Sequence, residues 1–194
     1  MKKHLFLTGP AGCGKSEALR AALGDRMLLA GGFVCLRERG TAGELLGCSL
    51  LPAAAAGGAE GYSPLPYLDL RQAPPVHDSE VFREDGVRLL QESVWYPFFV
   101  LDAIGGFELL IPQFRQALAG VLSSDQPLVG VLMEPKEAEA LCARLGLSDR
   151  VNQNIARLWE ALKADPDTQI LELSGLRRTR SLRLLEEWTE AFAR

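Results

Sequence analysis

Eight consecutive residues, Gly9-Pro10-Ala11-Gly12-Cys13-Gly14-Lys15-Ser16, have the types and spacing to hold phosphate. They satisfy G-x-x-x-x-G-K-[ST], in which glycines let successive backbone N–H groups turn inward around phosphate oxygens. The lysine of this pattern, here Lys15, reaches the β- and γ-phosphates, and the hydroxyl after it, Ser16, ligates Mg²⁺. The expected ligand is therefore a nucleoside triphosphate, such as ATP or GTP, bound with Mg²⁺. A Gly-rich turn with a chance Lys-Ser is the alternative, and the flanking sequence argues against it. His4 to Thr8 is a compact apolar run of strand length, and Lys15 to Leu23 places Ala18, Leu19, Ala22 and Leu23 at helical spacing before Gly24. A strand thus feeds the loop, and a helix leaves it with its positive N-terminal end toward the phosphates.

Such a loop needs a second anchor for magnesium, an aspartate at the end of a buried strand. Phe98 to Leu101 is uninterruptedly apolar, as a strand buried on both faces would be, and Asp102 follows it. Asp102 is the candidate; a turn aspartate after a strand is the alternative.

The elements that must position these groups alternate. Gly32 to Leu36 and Leu45 to Leu51 read as a hairpin around the polar turn Arg39 to Gly43. Pro52 to Gly58 and the Pro-rich stretch Pro64 to Pro75 read as connections. Helices are expected at Glu80 to Ser93, Leu109 to Leu122, Lys136 to Leu145, Val151 to Ala164 and Ser181 to Phe192, with further strands at Leu128 to Met133 and Gln169 to Leu173. Strands alternating with helices imply an α/β sandwich with a mostly parallel sheet, in one domain spanning 1–194.

The segment Asp102-Ala103-Ile104-Gly105-Gly106-Phe107-Glu108 resembles the Asp-Glu-Ile-Gly-x-Met-Glu segment of the small P-loop nucleoside-triphosphatases, the family that includes the cancer-related nucleoside-triphosphatase. Gly32-Phe33, Arg37, Arg39 and Gly47 are similar to that family's hairpin. The resemblance implies a RecA-like, three-layer P-loop sandwich with a β-hairpin insertion. It also implies slow, base-tolerant hydrolysis of nucleoside triphosphate to diphosphate and phosphate. One position departs from it: the family's glutamate after the aspartate, its general base, is Ala103 here. Glu108, matching the family's second glutamate, is the candidate replacement, with Glu38 and Glu134 behind it. Leu173-Ser174-Gly175-Leu176-Arg177 stands where the family touches the nucleobase, and only Arg177 matches. Arg177 either meets the nucleotide or belongs to a solvated basic helix start with Arg178, Arg180 and Arg183. Arg37, Arg39 or Arg177 is the candidate to assist charge neutralisation.

Two alternatives follow from Ala103 and from chain length: a nucleotide-binding module that has lost catalysis, and a small-molecule kinase, for which no Arg-rich lid is visible. Asp102 and Gly105 also satisfy D-x-x-G, but neither Asn152 nor Asn154 opens an Asn-Lys-x-Asp guanine-reading motif. Among 194 residues, 47% hydrophobic, 21 basic and 25 acidic side chains leave a formal charge of −4. That sign disfavours nucleic acid as a partner. No apolar run is long enough for a membrane span, and a protein partner stays open. Cys13, Cys35, Cys48 and Cys142 form no CxxC pair, so reduced thiols and a cytoplasmic location are expected. Cys13 reads as a tolerated small residue, His4 and His77 as structural or surface residues, and Trp95, Trp159 and Trp188 as core.

Overall fold

The structure is a computed structural model that describes residues 2–92, 95–147 and 150–193. One eight-stranded sheet forms its middle layer, in the order β5-β4-β3-β2-β6-β7-β1-β8. The strands are β1 His4–Thr8, β2 Ala30–Arg39, β3 Leu45–Pro52, β4 Leu65–Asp69, β5 Val76–His77, β6 Phe98–Ile104, β7 Leu128–Leu132 and β8 Thr168–Glu172. From β2 through β6, β7 and β1 to β8 all neighbours are parallel, whereas β3, β4 and β5 add on antiparallel beyond β2.

β1, β6 and β7 are buried on both faces, which is why they read as largely apolar runs. On one face lie α1 Lys15–Leu23 and α7 Arg178–Phe192, with the short α2 Ala53–Ala56. Leu19, Leu23, Leu185 and Trp188 pack there on Leu5, Leu7, Val100 and Val129. The other face carries α3 Val87–Glu92, α4 Pro112–Leu122, α5 Pro135–Arg144 and α6 Arg150–Ala164. Phe6, Phe33, Leu101 and Leu128 meet Phe82, Phe114, Leu118, Ile155 and Leu162 on that side. This is the three-layer α/β sandwich with a mostly parallel sheet.

Several boundaries differ from the sequence reading, each for a local reason. The helix expected from Glu80 to Ser93 contains a π-helical turn at Phe82–Gly86 before α3, and Ser93 lies outside the described residues. A Cβ at position 86 would stand 3.3 Å from the Phe114 ring, so glycine admits that ring. Leu109 precedes α4 in a 3₁₀ turn, Phe107–Leu110, because Pro112 takes the first helical position.

The Pro-rich connection is a misreading: β4 lies inside it. Pro66 pairs with Ser49, and there β4 has β3 as its one strand neighbour, since β5 reaches only Leu68 and Asp69. A residue without an N–H is tolerated where the far side has no ladder to complete. Trp95 is a second correction, standing 86% exposed just before β6 rather than in the core. Trp188 is fully buried, and Trp159 is half-buried with its indole N–H donating to the Met133 carbonyl at 3.2 Å.

Candidate functional site

The loop between β1 and α1 is held open by its glycines. Gly12 and Gly14 have φ of 75° and 86°, the left-handed region in which a side chain is strained, and Gly14 is the residue from which α1 starts. The Cys13 N–H donates to the Pro10 carbonyl at 3.2 Å, closing the turn. Lys15 is buried, and its ammonium donates to the Gly9 carbonyl at 2.5 Å and the Pro10 carbonyl at 2.9 Å. The Lys15 ammonium is thereby held against the loop backbone.

Ser16 projects from the first turn of α1 toward β6. Its hydroxyl donates to Asp102 Oδ1 at 2.7 Å, while Asp102 Oδ2 is buried and accepts no hydrogen bond. Asp102 stands inside β6 rather than at its end, paired with Val34 on one side and Val131 on the other. Burial pushes its carboxyl above the usual carboxylate range, against the opposing influence of the Ser16 hydroxyl, Arg20 and Arg37. A hydroxyl and a carboxylate with a spare oxygen are hard donors of the kind Mg²⁺ takes. No group of three or more His, Cys, Asp or Glu side chains that could hold a metal gathers among the described residues, and Ser16 and Asp102 are the candidate pair. That suits an ion whose other ligands are waters and substrate phosphates.

The loop borders a polar cleft of about 280 Å³ into which Glu17, Arg20, Arg37 and Arg39 also face. A second cavity, of about 160 Å³, shares a wall with it at Cys35, Arg37 and Arg39. Ala11, Leu45, Tyr67, Ala103, Phe107 and Leu141 make this second cavity largely apolar, and Glu108 and Glu137 supply its carboxylates. Burial pushes the Cys35 thiol up to about 12, so this cavity wall is not a reactive thiolate site.

The candidate residues separate by position. Gly12, Gly14, Lys15 and Ser16 line the cleft, Gly9 and Pro10 brace the lysine, Ala11 faces the second cavity, and Cys13 is half-buried in the loop. Glu108 is buried, with Oε1 accepting the Gly105 and Gly106 N–H groups at 2.6 and 2.8 Å, so one of its oxygens caps a turn. Glu38 lies on an exposed edge, paired with Arg71 at 3.0 Å. Glu134 and Arg177 lie on a different groove with Thr8 and Glu172, where Arg177 pairs with Glu172 at 2.9 Å. Arg37 and Arg39 therefore line the cleft beside the loop, and Arg177 does not.

The sequence reading missed two residues here. Arg178, the first residue of α7, donates to the Cys13 carbonyl at 2.6 Å and so ties the last helix to the phosphate loop. Glu137, in the first turn of α5, brings a carboxylate within 4.0 Å of the Lys15 ammonium. Neither has a motif around it; chain crossovers bring both to the loop.

Residues 4–156 match the model of the family described as NTPase. The chain belongs to the NTPase family. No curated protein matches it in sequence. In structure the chain is similar to the crystal structure of THEP1 from the hyperthermophile Aquifex aeolicus, with a TM-score of 0.64 at 17% identity. The alignment covers 98% of this chain and 99% of that one, so the two share the fold from end to end. Family membership supports nucleotide binding by this chain. No helix among the described residues is long and apolar enough to cross a membrane.

Proposed function

We propose that the protein is a Mg²⁺-dependent nucleoside-triphosphatase that releases diphosphate and phosphate with little regard to the base. The observation that carries this reading is the 2.7 Å contact from Ser16 Oγ to Asp102 Oδ1, which joins the phosphate loop to the buried strand β6. Ser16 and Asp102 would hold Mg²⁺, which when bound neutralises charge on the β- and γ-phosphate oxygens. Lys15 adds a fixed ammonium at the same phosphates, and Arg37 and Arg39 face them across the cleft. Such groups cost no reorganisation when negative charge builds up in the transition state. Arg177 presents an exposed guanidinium plane beside β8, able to stack on a base without reading its edge, which favours base tolerance. Four cysteines with no disulfide between them suit a reducing compartment such as the cytoplasm.

The test is phosphate release from ATP, GTP, CTP and UTP with and without Mg²⁺, by wild type and Lys15→Ala. Release from all four that needs both Mg²⁺ and Lys15 is expected; release indifferent to Lys15 refutes the reading. A second reading, a nucleotide-binding module without turnover, is favoured by Ala103, whose methyl group stands where the family places a glutamate. Tight nucleotide binding with no phosphate released would identify it.

A further inference from the structure

Hydrolysis needs a group to take the proton of the attacking water, and Ala103 cannot. The cavity beside Ala103 contains one that can. Glu137 Oε2 is buried, accepts no hydrogen bond, and lies 4.0 Å from the Lys15 ammonium. Glu137 shares this cavity with Ala11 of the phosphate loop, with Ala103 and with Arg37. Lysine at this motif position meets the β- and γ-phosphates. A carboxylate oxygen 4.0 Å from that ammonium would therefore stand near the terminal phosphate when nucleotide is bound. The carboxylates suggested by the sequence are committed elsewhere: Glu108 Oε1 caps the Gly105-Gly106 turn, Glu38 pairs with Arg71, and Glu134 faces the groove beside β8, while Glu17 lines the cleft from α1, away from the cavity beside Ala103.

We propose that Glu137 is the general base of this NTPase, standing in from α5 for the carboxylate that β6 lacks. The assignment rests on the triphosphatase reading above. In the step it describes, the water oxygen bonds to the γ-phosphorus and the bond from that phosphorus to the β,γ-bridging oxygen breaks. The diphosphate leaves with the bonding electrons, and the proton of the water passes to Glu137 Oε2. The Glu137 side chain as a whole is 24% exposed although Oε2 is buried, so a rotation of the carboxyl group would return the proton to solvent. The apolar walls from Tyr67, Phe107 and Leu141 leave few competing positions for water.

The experiment compares Glu137→Gln, Glu137→Ala and Ala103→Glu/Glu137→Ala, with Glu139→Gln on the exposed side of α5 as control. Single-turnover phosphate release from Mg·ATP is measured beside the Kd of a non-hydrolysable ATP analogue. Both single variants are expected to lose about 10²- to 10⁴-fold in rate, the usual contribution of a positioned base, with the Kd unchanged. Added formate, or the carboxylate of Ala103→Glu, is expected to restore part of the rate to Glu137→Ala.

Glu137→Gln turning over near the wild-type rate overturns the assignment. So does a loss of rate matched by an equal loss of affinity, which would make Glu137 a clamp on Lys15, and so does failure of both formate and Ala103→Glu to restore turnover. A wild type that hydrolyses nothing overturns the triphosphatase reading and this assignment together; a hydrolysing wild type with an indifferent Glu137→Gln overturns this assignment alone.

Discussion

Asp102→Asn tests the metal pair without chemistry. In the free protein Asp102 carries one satisfied oxygen, bonded by Ser16, and one buried oxygen with no donor. An unsatisfied buried polar atom costs about 1–3 kcal/mol, and more when charged. The amide keeps the acceptor for Ser16 and removes the charge, so it recovers the charged excess, on the order of 1 kcal/mol. In a domain of this size about 1 kcal/mol moves Tm by roughly 2–4 °C, and Asp102→Asn is expected to melt higher than wild type by that amount. Because burial raises the folded carboxyl above its ordinary 3.8, the penalty is full above the raised value. It fades as pH falls through that value toward 3.8, so the advantage shrinks on acidification through that range. Mg·nucleotide at about 100 times its Kd should add about 2.7 kcal/mol to wild type, or roughly 5–10 °C. Asp102→Asn should lose most of that shift. Differential scanning calorimetry over a descending pH series, with and without Mg·ATP, makes the comparison. A variant that melts lower in the free form yet keeps the full ligand shift refutes the reasoning, since Asp102 would then be a structural acceptor and not a metal ligand.

Arg178→Ala removes the 2.6 Å bond to the Cys13 carbonyl but leaves every phosphate-facing group in place. Nucleotide affinity should weaken by no more than about tenfold, because an exposed bond contributes about 1 kcal/mol or less; titration of a fluorescent ATP analogue reads it. His4 is buried, and burial holds its imidazole below 6.5, so the unfolded chain takes up the proton first as pH falls. Stability is then full above about 6.5 and declines below it, at most about 1.4 kcal/mol per pH unit, until the lowered folded value is reached. Denaturant melts of His4→Phe should lack that decline. Gly32→Ala should fail to yield folded protein or lose several kcal/mol, because a Cβ there drives into the Val100 carbonyl oxygen at a φ of 86°. Expression and circular dichroism show which.

The parallel core was legible because β1, β6 and β7 are buried on both faces and written as largely apolar runs. The outer part of the sheet was not. β4 contains Pro66 and follows Pro64, and composition alone makes such a stretch a linker; its strand character comes from pairing with β3, which a local pattern cannot show. Trp95 misled for the converse reason. Its neighbours Tyr96 and Phe98 are apolar, but Trp95 stands before β6 begins and is 86% exposed among the described residues.

Legibility of the site divides along the same line. The loop's chemistry lies in eight contiguous residues and depends on backbone amides, so spacing alone declares it. Asp102 is declared almost as well, because the strand that carries it must be apolar. A water-activating carboxylate is under no such constraint. It needs one oxygen near one phosphate, and any element whose start crosses the sheet ends can deliver it. In this chain β7 lies between β6 and β1, so α5, which begins just after β7, puts its first turn against the loop that follows β1. Substituting alanine at 103 empties one route to the γ-phosphate without closing the other. The phosphate loop and metal pair are therefore expected to stay fixed among such proteins, while the base can move between strand and helix.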